Sequence, residues 1–206
     1  MNGRMALAAG VGALALSAAS ALAASTLTPE QQALEDRATT YLQGLTSAQG
    51  QFVQTDSKGA RTEGTFFLER PGRIRFEYSP PAQMIVVSDG HNVTVYDRRL
   101  HSANFYPLGM TPLHVFLAKT IRFDRAAIID KVERTPDGFE ITAHDGKHAS
   151  EGSITLEFSD SPVRLLEWTI TDAAGRRTRV QLTSLKPSAG FDPKTFTIGD
   201  DDRKPR

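Results

Sequence analysis

Apolar and polar residues alternate along most of the chain after residue 50, and short groups of glycine, proline and aspartate interrupt the alternation. Because neighbouring side chains of an extended strand point to opposite faces, this period of two predicts strands with one apolar and one polar face. The predicted strands are 51–55, 62–69, 73–78, 84–88, 93–97, 102–106, 128–134, 139–144, 153–159, 163–172 and 177–185. The tight turns between them predict an antiparallel sheet that is curved or closed.

A helix is predicted before the first strand. Thr28 is a suitable cap, Pro29 suits the first helical position, and Gln31 completes a capping box. Apolar residues then recur on one stripe up to residue 45. Such an amphipathic helix is expected to cover apolar surface.

A second, shorter helix is predicted where the alternation stops after residue 106. Thr111 and Pro112 repeat the cap and first position, and Leu113, Phe116 and Leu117 follow at helical spacing. A helix this short is not stable alone, so it must rest on the sheet. Residues 124–129 fit either another helical turn or the start of a strand, and the charged residues 199–206 are predicted to be disordered.

The N-terminus differs from the rest of the chain. Arg4 precedes an apolar run rich in alanine and leucine over residues 5–16, and residues 21–23 have the small residues of a cleavage site. The run is shorter than the roughly 20 apolar residues of a membrane-spanning helix. We therefore predict a signal peptide over residues 1–24, cleaved after Ala23 or Ala24, and one exported domain over residues 25–206.

Composition excludes several functions. The 24 basic and 24 acidic residues cancel, which argues against a nucleic-acid partner held through its phosphates. Because the chain has no cysteine, disulfides, a cysteine nucleophile and a thiolate metal site are excluded. The usual motifs for hydrolases, nucleotides and zinc are absent, and exposed histidines explain His144 and His148 better than a metal site does. We predict no enzyme activity, no cofactor and no metal.

The apolar faces of the strands are unusually continuous. They predict either an ordinary packed core or a cavity large enough for a lipid. Amphipathic strands and covering helices look the same in both cases, and the pattern alone favours the ordinary core.

Several motifs resemble one known family. The run from Gly64 to Tyr78 contains the core G-x-F-x-x-x-R-P, and the segments 85–90 (Ile-Val-Val-Ser-Asp-Gly) and 95–97 (Val-Tyr-Asp) follow it. With Thr-Pro-Leu at 111–113 and Phe-Asp-Pro-x-x-Phe at 191–196, these motifs closely resemble the periplasmic outer-membrane lipoprotein carrier proteins of the LolA type. The likeness covers essentially the whole chain after the predicted signal peptide. It implies an unclosed barrel of about eleven antiparallel strands under a lid of short helices.

The same resemblance implies the site. Arg70 matches the family arginine that holds the lid by donating hydrogen bonds to backbone carbonyls, here those of residues 112–118, a task suited to the five donors of a guanidinium. Ile74 also matches a position that resembles a handover contact. The residues expected to line an acyl-chain cavity are Ile74, Phe76, Met84, Val86, Leu113, Phe116, Leu117, Leu166, Trp168 and Ile170.

The implied function is that of a monomeric, non-enzymatic periplasmic chaperone for lipoproteins. Its partners would be the acyl chains of lipoproteins, an inner-membrane lipoprotein-releasing ABC transporter, and an outer-membrane receptor or membrane acceptor. Two alternatives stay open at this point. A periplasmic lipid-binding or sensing module should carry an additional domain, and a secreted hydrolase with a barrel pocket should show a catalytic grouping.

Overall fold

The structure, a computed structural model, describes residues 27–121 and 127–203. The predicted signal peptide lies outside the described residues, as does the first half of the ambiguous segment 124–129, whose second half begins a strand. In the described residues, two α-helices accompany one antiparallel sheet: α1 (Pro29–Gly44) and α2 (Leu113–Leu117). The strands are β1 (Ser47–Thr55), β2 (Arg61–Glu69), β3 (Arg73–Tyr78), β4 (Met84–Asp89), β5 (Asn92–Asp97), β6 (Ser102–Pro107), β7 (Ala127–Thr135), β8 (Gly138–Asp145), β9 (Gly152–Asp160), β10 (Val163–Asp172) and β11 (Arg177–Pro187).

The order of the strands in the sheet is β6-β5-β4-β3-β2-β1-β11-β10-β9-β8-β7. Two meanders of consecutive strands are thus joined where β1 pairs with β11, and β6 and β7 remain as the edges. The sheet is open between these edges, and the connection from β6 to β7 carries α2. The predicted fold class, an unclosed antiparallel barrel covered by short helices, is confirmed.

The main core lies on one face of this sheet, which we call the inner face, and a smaller apolar cluster lies on the other face of β4 and β5. Ile74, Phe76 and Tyr78 of β3 are buried there, as their period of two predicted. The Trp168 ring of β10 joins this face to α2, because it stacks on Phe116 with ring centroids 5.5 Å apart and lies 6.0 Å from Phe76. Helix and sheet therefore share one aromatic cluster.

A β-bulge changes which residues of β10 lie on the inner face, contrary to the prediction. The pairing of β10 with β9 shifts between Leu165 and Glu167, so that Leu165 lies opposite Phe158 and Trp168 opposite Leu156. Leu165 is buried in the core, whereas Leu166 is only half-buried. The strict alternation that placed Leu166 beside Trp168 was wrong because the extra residue reverses the faces before the bulge.

Helix α1 begins as the sequence predicted. Thr28 and Gln31 form a capping box, in which the Thr28 hydroxyl accepts from the Gln31 amide and the Gln31 side chain accepts from the Thr28 amide. Leu34, Ala38 and Leu42 are buried against the core. The cap therefore places this apolar stripe over the sheet.

Replacing the cap tests its contribution to stability. We expect Thr28→Ala to lower the free energy of unfolding by about 1 kcal/mol, because the first turn loses a hydrogen-bond acceptor. Thr40→Ala, at an exposed position inside the same helix, is the matched control, and we expect no loss there because alanine favours the helix interior. Urea denaturation measures both, and equal stability of the two variants would contradict a role for the cap.

The start of α2 differs from the prediction. A 3₁₀ turn over Leu108–Met110 precedes it, and Pro112, which has no side chain able to cap, occupies the capping position. The Thr111 hydroxyl instead donates to the Leu108 carbonyl at 2.8 Å. Thr111 therefore closes the preceding turn, and α2 depends on its buried side chains for its place on the sheet.

The described residues 199–203 are ordered, contrary to the prediction of disorder for this part of the chain. Asp202 is buried and accepts hydrogen bonds from the guanidinium groups of Arg75 and Arg98 on the outer face of the sheet. Arg75 also donates to the carbonyls of Thr195 and Thr197. Two arginines thus hold the end of the chain against the outside of the sheet.

Candidate functional site

A cavity of about 510 Å³ lies between the inner face and the segment 110–113 that leads into α2. This volume falls within the roughly 300–1,000 Å³ typical of small-ligand sites. Five of the residues predicted to line a cavity do line it: Phe76, Val86, Leu113, Trp168 and Ile170. Val93, Met110 and Val180 add further apolar walls that were not predicted.

The other predicted lining residues lie elsewhere. Ile74, Phe116 and Leu117 are each about 1% exposed and belong to the packed core rather than the cavity wall. Met84 packs half-buried against the same core, and Leu166 leaves the inner face at the bulge. Both hypotheses for the apolar face, a packed core and a cavity, are therefore partly correct, because the two lie side by side.

One end of the cavity is polar. Gln54, Tyr78, Asp172, Arg176 and Thr178 line it there, where β1, β3 and β10 end and β11 begins. The Tyr78 hydroxyl donates to Gln54 Oε1 at 2.6 Å. Burial raises the pKa of Tyr78 well above its usual range, against a smaller lowering by the bond to Gln54. The phenol is therefore neutral at physiological pH and acts as a fixed donor.

The sequence contained a signal for two of these polar residues. Tyr78 follows Phe76 by two positions, and Gln54 follows Phe52 by two, so alternation places both on the inner face. Neither is among the residues predicted to line the cavity, because that prediction named apolar residues only. Arg176 and Asp172 were recognisable only as parts of a turn.

Arg70 lies in the turn between β2 and β3, next to the C-terminal end of α1. Its Nε donates to the Leu45 carbonyl at 3.1 Å, and its Nη2 donates to the Leu42 carbonyl. These carbonyls belong to the C-terminal end of α1, where backbone acceptors lack helical partners. The resemblance implied acceptors in residues 112–118 instead, and in the structure the guanidinium points to α1 because that helix ends against this turn.

The same turn nevertheless contacts α2 through its backbone. The Gly72 amide donates to the Leu117 carbonyl at 2.8 Å, and the Arg70 amide donates to the Thr46 carbonyl, also at 2.8 Å. Gly72 has φ = +76°, and a Cβ there would approach the Gly90 Cα to 2.7 Å. Glycine is thus required by both conformation and space, and the turn 70–72 joins the ends of both helices.

Arg70 is itself enclosed. It is 9% exposed, and within residues 27–121 and 127–203 its Nη1 has no hydrogen-bond partner. Burial lowers the pKa of Arg70 to about 10, which leaves it protonated at neutral pH. A buried cation with one unused donor and backbone carbonyls as its partners is less well compensated than a buried ion pair.

Other features of the described residues give weaker support for a binding site. Depressions of similar volume lie on the outer surface, but their walls are more polar than those of the cavity. His144 contacts Asp130, and within the described ranges no group of three or more metal-binding side chains is close enough to hold an ion. No helix in those same ranges is long and apolar enough to cross a membrane.

These observations define the class of the molecule: an open antiparallel sheet whose inner face, covered by short helices, lines a largely apolar cavity. The sequence model of the family described as "Outer membrane lipoprotein carrier protein LolA" matches residues 43–199. The chain therefore belongs to the LolA family.

Individual relatives support the same family assignment. The outer-membrane lipoprotein carrier protein of Chromobacterium violaceum is 28% identical over 188 residues, which cover 87% of this chain and 90% of that protein. The protein of the same name from Cupriavidus taiwanensis is 30% identical over 187 residues, with 82% and 86% covered. A putative outer membrane lipoprotein-sorting protein domain from Vibrio parahaemolyticus shares the fold, with a TM-score of 0.50 and 9% identity over 84% of this chain and 98% of that one.

Proposed function

We propose that this protein is a non-enzymatic periplasmic chaperone that binds the acyl chains of lipoproteins and carries them from the inner to the outer membrane. The observation that supports this most is the apolar cavity of about 510 Å³ under the segment leading into α2. Membership of the LolA family and the names of the relatives support the choice of lipoproteins as cargo. Export would follow from the signal peptide predicted over residues 1–24.

The energy of the task explains why a cavity is needed. Each buried methylene contributes about 0.8 kcal/mol, so about three acyl chains with some forty methylenes resist entering water by roughly 30 kcal/mol. Unassisted crossing of an aqueous compartment is therefore negligible. A carrier must offer apolar surface, and it must cover that surface when empty because a large exposed apolar patch aggregates.

The size of the cavity implies that the cover moves. If a methylene takes roughly the 30 Å³ of a water molecule, a 510 Å³ cavity accepts about 17 of them, or one long acyl chain. More cargo requires α2 and the preceding turn to swing away from the inner face. Leu113, Phe116 and Leu117 would then exchange contacts with the sheet for contacts with acyl chains.

The two ends of a transport cycle need partners. An inner-membrane lipoprotein-releasing ABC transporter would load the protein, and an outer-membrane receptor or a membrane acceptor would unload it. The protein would act as a monomer, with Ile74 beside the region where cargo is handed over. Arg70, at the turn that joins α1 and α2, would set the balance between the covered and uncovered states.

Native mass spectrometry of the protein purified from an exporting cell tests the proposal. We expect a population that carries acyl chains or intact lipoprotein, and depletion of the protein should leave lipoproteins at the inner membrane. Turnover of ester or glycan substrates, without bound acyl chains, would contradict the proposal and favour a hydrolase.

Filling the cavity provides a further test. Ile170 is half-buried on the cavity wall, and Ile170→Trp should remove room for about two methylenes and weaken binding of a fluorescent fatty-acyl dye about tenfold. Ile128→Trp, at an exposed position of β7, is the matched control. Equal dye affinity of both variants would exclude this cavity as the binding site.

A further inference from the structure

The cavity is apolar at one end and polar at the other. Along β10, the inner-face residues change from Trp168 and Ile170 to Asp172, and along β11 they change from Val180 to Thr178. β1 and β3 show the same change towards the same end of the sheet, because both run parallel to β10. An amphiphile that enters this cavity is therefore expected to place its apolar tail beside Trp168 and its polar part at the end lined by Thr178.

Most polar groups at this end are already engaged. Arg176 and Asp172 pair with each other at 2.8 Å across the β10–β11 turn, and the Thr111 hydroxyl donates to the Leu108 carbonyl. Two uncharged side chains at this end, those of Gln54 and Thr178, have donors without a protein partner among the described residues: the amide nitrogen Nε2 and the hydroxyl. Both lie on neighbouring strands, with Thr178 two residues from the Val180 that pairs with Gln54.

Tyr78 fixes the orientation of the Gln54 amide. Its hydroxyl donates to Oε1, so the other half of the amide, Nε2, is left as a donor for a ligand. The phenol packs edge-on against the Phe52 ring with centroids 5.2 Å apart, which holds the hydroxyl in place. A preorganised donor at the boundary of an apolar cavity selects for an acceptor on the ligand.

The charges at this end indicate which acceptor fits. Glu151 and Asp172 line the cavity together with Arg176, whose guanidinium is engaged by Asp172. A carboxylate or phosphate would meet acidic groups and no uncommitted cation among the described lining residues. The carbonyl of an ester or amide is a neutral acceptor and avoids that cost.

We propose that Gln54 and Thr178 form a subsite for the ester or amide carbonyl that joins an acyl chain to its headgroup, with Tyr78 as the residue that positions Gln54. This inference rests on the proposed function and adds to it the depth and orientation of the bound chain. The acyl tail extends from the subsite towards Phe76 and Trp168, and the headgroup emerges beside the β10–β11 turn.

Two uncharged ligands of similar length isolate the carbonyl. Methyl palmitate carries it, and hexadecyl methyl ether does not. In displacement of a fluorescent fatty-acyl dye, we expect the parental protein to prefer the ester about fivefold, the value of roughly one net hydrogen bond. Palmitate should bind more weakly than its methyl ester, because its carboxylate approaches Glu151 and Asp172.

Variants show which residues cause the preference for the ester over the ether. Gln54→Leu should remove the ester preference while leaving the affinity for the ether unchanged, and Thr178→Val should reduce the preference. Tyr78→Phe should also reduce it, because Gln54 is no longer held. Gln181→Leu is the matched control, since Gln181 is exposed and lies between the inner-face residues Val180 and Leu182. The readout is the ratio of two affinities within one variant, which a general loss of stability does not move.

The outcomes separate the two proposals. Equal affinity of the parental protein for ester and ether overturns the subsite and leaves the carrier proposal intact. A preference that survives in Gln54→Leu and Thr178→Val also overturns the subsite. Failure of the dye and of both ligands to bind overturns the carrier proposal, and the subsite with it.

Discussion

Replacing Asp202 by alanine should destabilise the protein by about 3 kcal/mol, which corresponds to a fall in melting temperature of roughly 6–12 °C for a domain of this size. Asp202 accepts from Arg75 and Arg98, whose side chains are only 5% and 3% exposed. Arg75 retains Glu77 as a partner at 2.8 Å. Arg98 retains only the Asp202 backbone carbonyl among its described partners, so the variant leaves a buried cation poorly compensated.

Matched variants separate this cluster from the acidic run around it. Asp200→Ala, at an exposed position two residues earlier, should unfold within about 1 °C of the parent because exposed substitutions have small effects. Arg98→Ala combined with Asp202→Ala should cost less than the sum of the single variants, because the second change removes a group already unpaired. Additive losses in thermal denaturation would contradict a buried network.

The sheet was predictable because its strands follow one local rule. Side chains alternate wherever a strand has one buried face, so Ile74, Phe76 and Tyr78 were assigned correctly without any knowledge of their partners. The bulge at Leu165 and Leu166 was not predictable, since both residues are leucine and either could face inwards. Its position is decided by pairing with β9, a property of the assembled sheet.

The lining of the cavity could not be predicted fully from the sequence. A pattern of apolar residues does not show which of them line a cavity and which pack in the core. Phe76 and Phe116 look alike in the sequence, yet one lines the cavity and the other is buried in the core. The difference arises from where α2 rests on Trp168. In the same way, nothing local distinguishes Asp202 from the neighbouring exposed Asp200, because the arginines that bury it lie more than 100 residues away.

Arg70 shows how a correct residue can have an unexpected partner. The sequence motif marked it, and general chemistry indicated backbone carbonyls at a helix end as its acceptors. Both helices end near the turn 70–72, so the motif alone did not decide between them. The side chain binds the end of α1, and the backbone of Gly72 binds the end of α2.

This arrangement predicts that Arg70→Leu slows transfer of lipoprotein to acceptor membranes by about ten- to a hundredfold. Hydrogen bonds from a charged donor contribute about 1.5–3 kcal/mol, and those of Arg70 help to hold the turn that ties α2 down over the cavity. Their loss destabilises the covered state relative to the uncovered one. In the proposed cycle, return to the covered state expels cargo, so the variant should bind acyl chains more tightly and release them more slowly.

Two further variants show whether the guanidinium itself is responsible. Arg70→Lys keeps the charge, but one ammonium group cannot reproduce the planar fork that reaches both Leu42 and Leu45, so its transfer rate should be intermediate. Arg61→Leu makes the same substitution at the exposed start of β2 and should transfer cargo at the parental rate. Release from loaded protein to outer-membrane vesicles measures all three, and parental transfer by Arg70→Leu would mean that the contact between this turn and α1 is structural and does not control the cover.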